Sequence, residues 1–350
     1  MKIALIGLTG SGKSTCFSAL TGLAEAPGAG SDRLGVVPVP EPRLDRLEVI
    51  YSARRQVQAE ITLADTPALD ETAGPEAIEK QLGRLTQEAE AFVLVLRCFG
   101  DLDHRGEALD PPAELENLLL ELNLADLGLV ERRLQRMQQD TRRSQSGHEE
   151  RLLRELQTHL TAGKRAAEFF ADPEHQKTLG GYSLLTKIPL LVLCNVADND
   201  LEGEGAAGVR EACQSLSLPC LHFCAQLEAE IAQLPPAEQE GFLQDYGLEN
   251  TARQRLIRAA YDTLGLITFL TAGEKETRAW PIAQGLTAAQ AAGKIHTDIE
   301  KGFIRAEIVA FTALDQYGSL AECRKHGLVR LEGRDYLMKD GDVADFRFSI

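Results

Sequence analysis

Few stretches constrain a fold as tightly as residues Lys2 to Thr15, which read KIALIGLTGSGKST. Ile3, Ala4, Leu5 and Ile6 form the short apolar run of a strand buried on both faces, and Gly7 to Ser14 then spell G-x-x-x-x-G-K-S. In that pattern the glycines let the backbone curl, so that the N–H groups of Gly7, Leu8, Thr9, Gly10, Ser11 and Gly12 converge on one anion. Lys13 reaches terminal phosphates, and Ser14 offers a hydroxyl to Mg²⁺. Thr15, Cys16, Phe17 and Leu20 continue as a helix whose positive end faces the same anion. A plain glycine-rich turn between strand and helix would not need Lys13 followed by Ser14. The pattern therefore predicts a phosphate-binding loop at the start of an α/β domain.

The chain that follows supports that reading. Residues 21–35 are rich in glycine, alanine and small polar residues, a loop where a P-loop switch protein keeps its first switch. Arg43 to Tyr51 has the spacing of a short amphipathic helix, and Ala59 to Leu63 that of a strand running into Asp65. A carboxylate at that strand end holds the water shell of Mg²⁺, although Asp65 could instead only begin a turn. Residues 75–90 read as a polar helix and Ala91 to Cys98 as another buried strand. Strand, helix, strand, helix, strand predicts a doubly wound parallel sheet.

Between Ala113 and Phe170 the pattern changes to leucines at helical spacing, interrupted by a polar stretch from Thr141 to Glu150. This predicts an antiparallel helical hairpin inserted into the nucleotide domain, its leucines forming the core between two arms. Arg132, Arg133, Arg136, Arg142, Arg143, Arg151 and Arg154 gather toward its tip. They are either a solvated helix face or a contact patch for RNA or a ribosome. Ile188 to Cys194 returns to the sheet and ends in Asn195-Val196-Ala197-Asp198, and the strand at Pro219 to Phe223 precedes Cys224-Ala225-Gln226. In P-loop GTPases these two loops receive the base, through N-K-x-D and S-A-x motifs. Here Val196 stands at the lysine position, so the guanine-selecting pocket is incomplete. From Leu264 a strand pair, a short helix and returning strands predict a β-grasp domain. The expected domains are therefore 1–112 with 184–263 for nucleotide, 113–183 for the hairpin and 264–350 for the β-grasp.

Composition limits the partners. The formal net charge of −16 over 350 residues argues against a general polyanion binder, so any RNA contact must be a local patch, and sequence-specific DNA binding is not expected. No apolar run approaches the ~20 residues of a membrane span and no signal peptide is evident, which predicts a cytoplasmic protein without membrane contact. The seven cysteines are scattered and lack C-x-x-C pairs, as expected for reduced thiols. Cys220, His222 and Cys224 alternate along a strand, but no fourth ligand at suitable spacing accompanies them, and a buried strand is the simpler reading.

Several stretches carry a family resemblance. GVVPVPEPRLDRL (Gly35 to Leu47), NLADLGLVERRLQRM (Asn123 to Met137), AAGKIHTDIEKGFIRAEIVAF (Ala291 to Phe311) and LEGRDYLMKDGDV (Leu331 to Val343) closely resemble the YchF subfamily of Obg-related proteins, the Obg-like ATPases. The likeness runs along the whole chain in order. It implies an Obg-type P-loop domain, an inserted coiled-coil hairpin and a C-terminal TGS-type domain. It also implies binding of ATP in preference or in addition to GTP, slow hydrolysis with Mg²⁺, and association with ribosomes or RNA through the hairpin and TGS-like domain. By the same resemblance Gly7 to Thr15 hold the phosphates and Asp65 is the Mg²⁺-side aspartate. Asn195 to Asp198 sits on the N-x-x-E base loop with Asp198 in place of Glu, and Cys224-Ala225 matches the S-A loop.

The chain departs from the family where chemistry would occur. Thr9-Gly10-Ser11 replaces Pro-Asn-Val, and the first switch is shortened and lacks the threonine that senses Mg²⁺ and the γ-phosphate, with Ser31 as the nearby hydroxyl. Ala68 replaces the D-x-x-G glycine, where a positive φ would be costly, and Leu69 occupies the position of a water-orienting glutamine. No general base is identifiable. The expected function is slow hydrolysis of ATP or GTP to diphosphate and phosphate, with Lys13 and Asp65 as the catalytic candidates. The alternative is a nucleotide-gated ribosome or RNA-binding module with little turnover. A small-molecule kinase, suggested by TGSGKST, finds no acceptor site or lid in the sequence.

Overall fold

The computed structural model describes residues 1–24, 33–70, 72, 74–139 and 147–349. Its strands are β1 (Lys2–Ile6), β2 (Arg33–Val39), β3 (Gln56–Val57), β4 (Ala59–Asp65), β5 (Ala91–Cys98), β6 (Leu190–Val196), β7 (Cys220–Phe223), β8 (Leu266–Ala272), β9 (Thr277–Ala283), β10 (Phe303–Ala310), β11 (Arg330–Glu332) and β12 (Asp342–Phe348). They form two six-stranded sheets, ordered β2-β4-β1-β5-β6-β7 and β11-β10-β12-β8-β9-β3.

In the first sheet β1 lies between β4 and β5, and the pairs β1–β4, β1–β5, β5–β6 and β6–β7 are all parallel. The continuous apolar runs follow from this position: a central parallel strand has helices on both faces, and Ile3, Ala4, Leu5 and Ile6 are fully buried. Five strands, β4, β1, β5, β6 and β7, therefore present their carboxyl ends on one edge of the sheet, where an α/β fold binds its ligands. The helices introduced in order are α1 (Lys13–Thr21), α2 (Pro42–Tyr51), α3 (Gly74–Leu82), α4 (Pro111–Gln139) and α5 (Gly147–Thr161).

The 29 residues of α4 span about 43 Å and serve two cores. Leu115, Leu118, Leu122 and Ala125 pack with the sheet and α3. One half further on, Val130 and Leu134 pack with Leu152, Leu153, Leu156 and Leu160 of α5 and with Phe169, Phe170 and Leu179. The helical hairpin is thus present. Asp126, at the change from one core to the other, is buried and accepts hydrogen bonds from the Leu185 and Thr186 N–H groups and the Thr186 hydroxyl at 2.6 to 2.8 Å. Arg142 and Arg143, with most of the expected polar turn, lie outside the described residues, as does Ser31 with most of the expected first-switch loop.

Contacts divide the chain into two units, Met1–Val37 with Thr62–Ala260, and Pro38–Ile61 with Tyr261–Ile350. The second takes a segment that the sequence order suggests for the nucleotide domain. Within it β3 pairs in parallel with β9, Gln56 opposite Thr277, and Arg43 beside α2's start is ion-paired with Asp340 at 2.7 Å. The rest of this unit is the expected strand pair, helix and returning strands. Phe269, Ile282, Phe303, Ile308 and Phe346 meet the helix Ala288–Ile295 in its core. Thr287 caps that helix, its hydroxyl accepting the Gln290 N–H. Among the described residues no helix is long and apolar enough to cross a membrane.

Candidate nucleotide-binding site

The loop from Gly7 to Gly12 leaves the carboxyl end of β1 and enters α1. Its glycines are required by two close approaches. A Cβ on Gly7 would lie 2.6 Å from the Val95 carbonyl oxygen, and one on Gly12 would lie 2.1 Å from Asn195 Nδ2. Gly12 also has φ +83°, the left-handed conformation that starts α1 without a side-chain cap. With no acidic residue in its first turn, the helix leaves its N–H groups and positive end for an anion. Thr9, Gly10 and Ser14 are exposed on the loop, and Thr15 is half-buried. Leu8 and Ser11 are buried.

Lys13 folds back under the loop and is only 7% exposed. Its ammonium donates to Asp65 Oδ1 at 3.0 Å and to the Thr66 carbonyl oxygen. Asp65, at the end of β4 and 6% exposed, also has Arg33 Nη1 at 3.9 Å from its second oxygen. Lys13 and Asp65, far apart in sequence, are thus brought together as expected. Arg33 was not among the sequence candidates; it is delivered by the first residue of β2.

The segment after Asp65 is built differently from what its motif suggests. Ala68 does not have positive φ: among the described residues only Ser52 and Ser217 do so without being glycine. Gln81 of α3 holds this segment, donating to the carbonyl oxygens of Pro67 at 2.9 Å and Ala68 at 3.2 Å. Leu69 is 2% exposed, with its side chain in the sheet's core and its N–H donating to the Gly7 carbonyl oxygen at 2.9 Å. It splints the phosphate loop and presents nothing polar to a water.

On the base side, Asn195 is buried and uses its whole amide. Nδ2 donates to the Ser11 carbonyl oxygen at 3.2 Å, and Oδ1 accepts the Ala225 N–H at 3.0 Å. It stitches the phosphate loop to the start of the helix Ala225–Gln233. Val196 points into the core, whereas Asp198 is exposed. Cys224 caps that helix, its sulfur accepting the Leu227 N–H at 3.5 Å, and burial pushes its thiol pKa up. A thiol here does the capping work of a hydroxyl. Cys16, under the loop, is fully buried and its thiol pKa is likewise pushed up by burial.

Next to the phosphate loop is a cavity of about 400 Å³, lined by Thr9, Ser11, Arg97, His104, Leu118 and Glu121 among others. His104 packs over the loop: a Cβ on Gly10 would lie 3.1 Å from the His104 Cβ. Arg97 stacks on Phe99 at 4.4 Å and donates from Nε to the Phe99 carbonyl oxygen. Sequence reading missed both. The signal available was positional, since both lie at or just after the carboxyl end of β5, beside the loop strand.

The donors suited to a divalent cation are the exposed Ser14 hydroxyl and the Asp65 carboxylate. Among the described residues no three or more His, Cys, Asp or Glu side chains are grouped to hold a metal ion, and Cys220, His222 and Cys224 form no such group. A hydroxyl, one carboxylate, phosphate oxygens and water are the oxygen ligands that Mg²⁺ accepts, so the residues fit.

The chain is similar to known proteins along its whole length. Residues 2–131 match the family model described as 50S ribosome-binding GTPase, and residues 266–349 match the YchF-GTPase_C model, described as a protein of unknown function. The chain is 37% identical to the ribosome-binding ATPase YchF of Haemophilus ducreyi, covering 100% of this chain and 99% of that one. It is 34% identical to the protein of the same name from Bacillus subtilis, over 99% of this chain and 98% of that one. The solved structure of the Schizosaccharomyces pombe YchF GTPase superimposes with a TM-score of 0.79 at 25% identity, covering 99% of this chain and 97% of that one.

Proposed function

The chain belongs to the YchF family of Obg-related P-loop proteins, and on that premise we propose that it binds ATP with Mg²⁺, hydrolyses it slowly to ADP and phosphate, and does so in association with ribosomes in the cytoplasm. The observation that carries the proposal is the buried Lys13–Asp65 pair at the foot of a glycine loop that opens onto a helix N-terminus. The names of the full-length relatives, ribosome-binding ATPases, support the choice of ATP and of the partner.

Binding begins with the loop N–H groups from Gly7 to Gly12 and the first turn of α1 enclosing the phosphates. Lys13 turns from Asp65 and the Thr66 carbonyl toward the terminal phosphates, exchanging one charge-assisted contact for another. Ser14 and Asp65 would hold Mg²⁺, which when bound neutralises charge on the β- and γ-phosphates. Asn195 acts on the base indirectly, by fixing the loop that begins at Ala225, and what Val196 offers a base is backbone. The exposed Asp198 carboxylate sits beside that loop. With no lysine stem to order guanine over it, ATP is the preferred ligand. His104 and Thr9 face the cavity in which a water would approach the γ-phosphate, and positioning of that water falls to them because Leu69 is buried in the core.

Single-turnover hydrolysis with and without ribosomes, with Lys13→Ala as the control, tests the reading. A rate for the natural chain above that control, raised by ribosomes, is the expected result. A rate indistinguishable from the control supports the second reading, a nucleotide-gated ribosome-binding module, which the buried Leu69 favours. Competition of ATP and GTP for one fluorescent nucleotide tests the base, and Asp198→Ala is expected to change ATP affinity by less than about threefold, below the ~1–3 kcal/mol of a reading hydrogen bond.

A further inference from the structure

We propose that Arg33 is a built-in counter-cation of the phosphate site, a phosphate-binding residue that takes over part of the charge neutralisation otherwise left to Mg²⁺. The inference rests on the nucleotide-binding reading above and deepens it. Arg33 is the first residue of β2 and falls within the 21–35 stretch expected to be the first switch. Its guanidinium lies 4.9 Å over the Phe17 ring, one turn into α1, and Nη2 donates to the Ala24 carbonyl oxygen at 2.6 Å. These two contacts aim Nη1 inward. That nitrogen is buried without a hydrogen-bond partner among the described residues, and stands 3.9 Å from Asp65 Oδ2.

Charge counting makes the arrangement unusual. Asp65 has one negative charge and two cations against it, Lys13 on Oδ1 and Arg33 beyond Oδ2. The second cation and its unmatched donor both lie toward Asp65 Oδ2, the oxygen that Lys13 does not take. A triphosphate brings the anionic oxygens that Nη1 lacks, and a planar guanidinium is suited to phosphate geometry. A buried donor without a partner is costly, so the site gains when a phosphate oxygen meets it. Phe17 holds the fork in place, which reduces the entropy lost on binding. The consequence is a site in which binding of ATP depends less on Mg²⁺ than a lysine and a serine alone would allow.

The test measures affinity for a fluorescent ATP analogue, with ATP competition, in saturating Mg²⁺ and in excess EDTA, for the natural chain, Arg33→Ala, Arg33→Lys and Lys13→Ala. The natural chain is expected to lose less than about tenfold on chelation, and Arg33→Ala to lose at least a further tenfold in EDTA while changing less than about threefold in Mg²⁺. Arg33→Lys, which keeps the charge without the fork, should fall between them. Retained affinity in Mg²⁺ shows that Arg33→Ala is folded; if it is lost in both media, the intermediate position of Arg33→Lys in EDTA decides. Equal losses for Arg33→Ala and Arg33→Lys in both media, or no loss in EDTA, would overturn the proposal. If the natural chain binds no better than Lys13→Ala in either medium, the nucleotide-binding reading itself fails, a result distinct from failure of the Arg33 role alone.

Discussion

Asn195 is a single side chain that spends its amide on the backbone of two segments. Its amide joins the Ser11 carbonyl to the Ala225 N–H, so one residue ties the phosphate loop to the start of the helix Ala225–Gln233 from the end of β6. Asn195→Ala removes a donor and an acceptor from two buried backbone groups, each costing about 1–3 kcal/mol if left unmatched. Urea unfolding should show a loss of about 2–6 kcal/mol for the two groups together, and nucleotide titration a weaker affinity for ATP and GTP alike; loss of one nucleotide only would make Asn195 a base reader. Gly12 is constrained by the same residue. Gly12→Ala places a Cβ against Asn195 Nδ2 at φ +83°, and should weaken nucleotide binding at least as much as Lys13→Ala. For Lys13→Ala the expected loss is about 10- to 150-fold, the value of one charge-assisted hydrogen bond. His104→Ala, by contrast, should lower single-turnover hydrolysis while leaving ATP affinity within about threefold, because His104 faces the cavity beside the loop and not the helix N-terminus.

At the scale of elements, α4 carries a buried carboxyl that ties its stability to pH. Burial pushes the Asp126 carboxyl from its ordinary 3.8 up to about 6, against the pull of the hydrogen bonds from Thr186 and Leu185. A carboxyl raised in this way is favoured neutral in the folded chain. Its contribution to stability is therefore fully present below pH 3.8 and is lost as the pH rises through about 6. Asp126→Asn should flatten the pH dependence of the urea midpoint over that window, while Asp126→Ala leaves three donors unmatched and lowers the midpoint at every pH. An unchanged slope in Asp126→Asn would assign the titration elsewhere. The hairpin was legible because its leucines recur at helical spacing, yet the division of α4 between two cores was not: Leu122 and Val130 are alike in sequence and differ only in what packs on them.

At the scale of the whole molecule, the hairpin's basic residues look less like a patch than their number suggests. Arg132 is ion-paired with Glu79, Arg133 with Glu149, Arg151 with Glu155 and Arg154 with Glu150, and Arg133 Nε also donates to the Tyr182 hydroxyl. Much of that charge is neutralised within the chain, as on a solvated helix face. Arg136 is exposed, which makes it the arginine to test. Arg136→Glu should reduce ribosome co-sedimentation and its sensitivity to salt, since each phosphate contact adds about one to the salt slope. Binding unchanged across a salt series would remove this face from the partner surface. The acidic composition already pointed to a local contact, because a chain with net charge −16 cannot attract a polyanion over its whole surface.

The phosphate loop, the parallel strands, the hairpin and the β-grasp could be read from the sequence because each is specified by neighbours: a glycine pattern, an apolar run, a helical period. Local rules also placed Lys13, Ser14 and Asp65 on the ligand edge of the sheet. They did not place Arg33 beside Asp65, His104 over Gly10, or β3 against β9, and they gave Leu69 no direction. Those are pairings between distant segments, settled by strand order and by which face of a short element meets the core. A two-residue strand such as β3 has too little pattern to declare its partner, and an arginine at a loop's end becomes part of a site only when the fold brings a carboxylate to it.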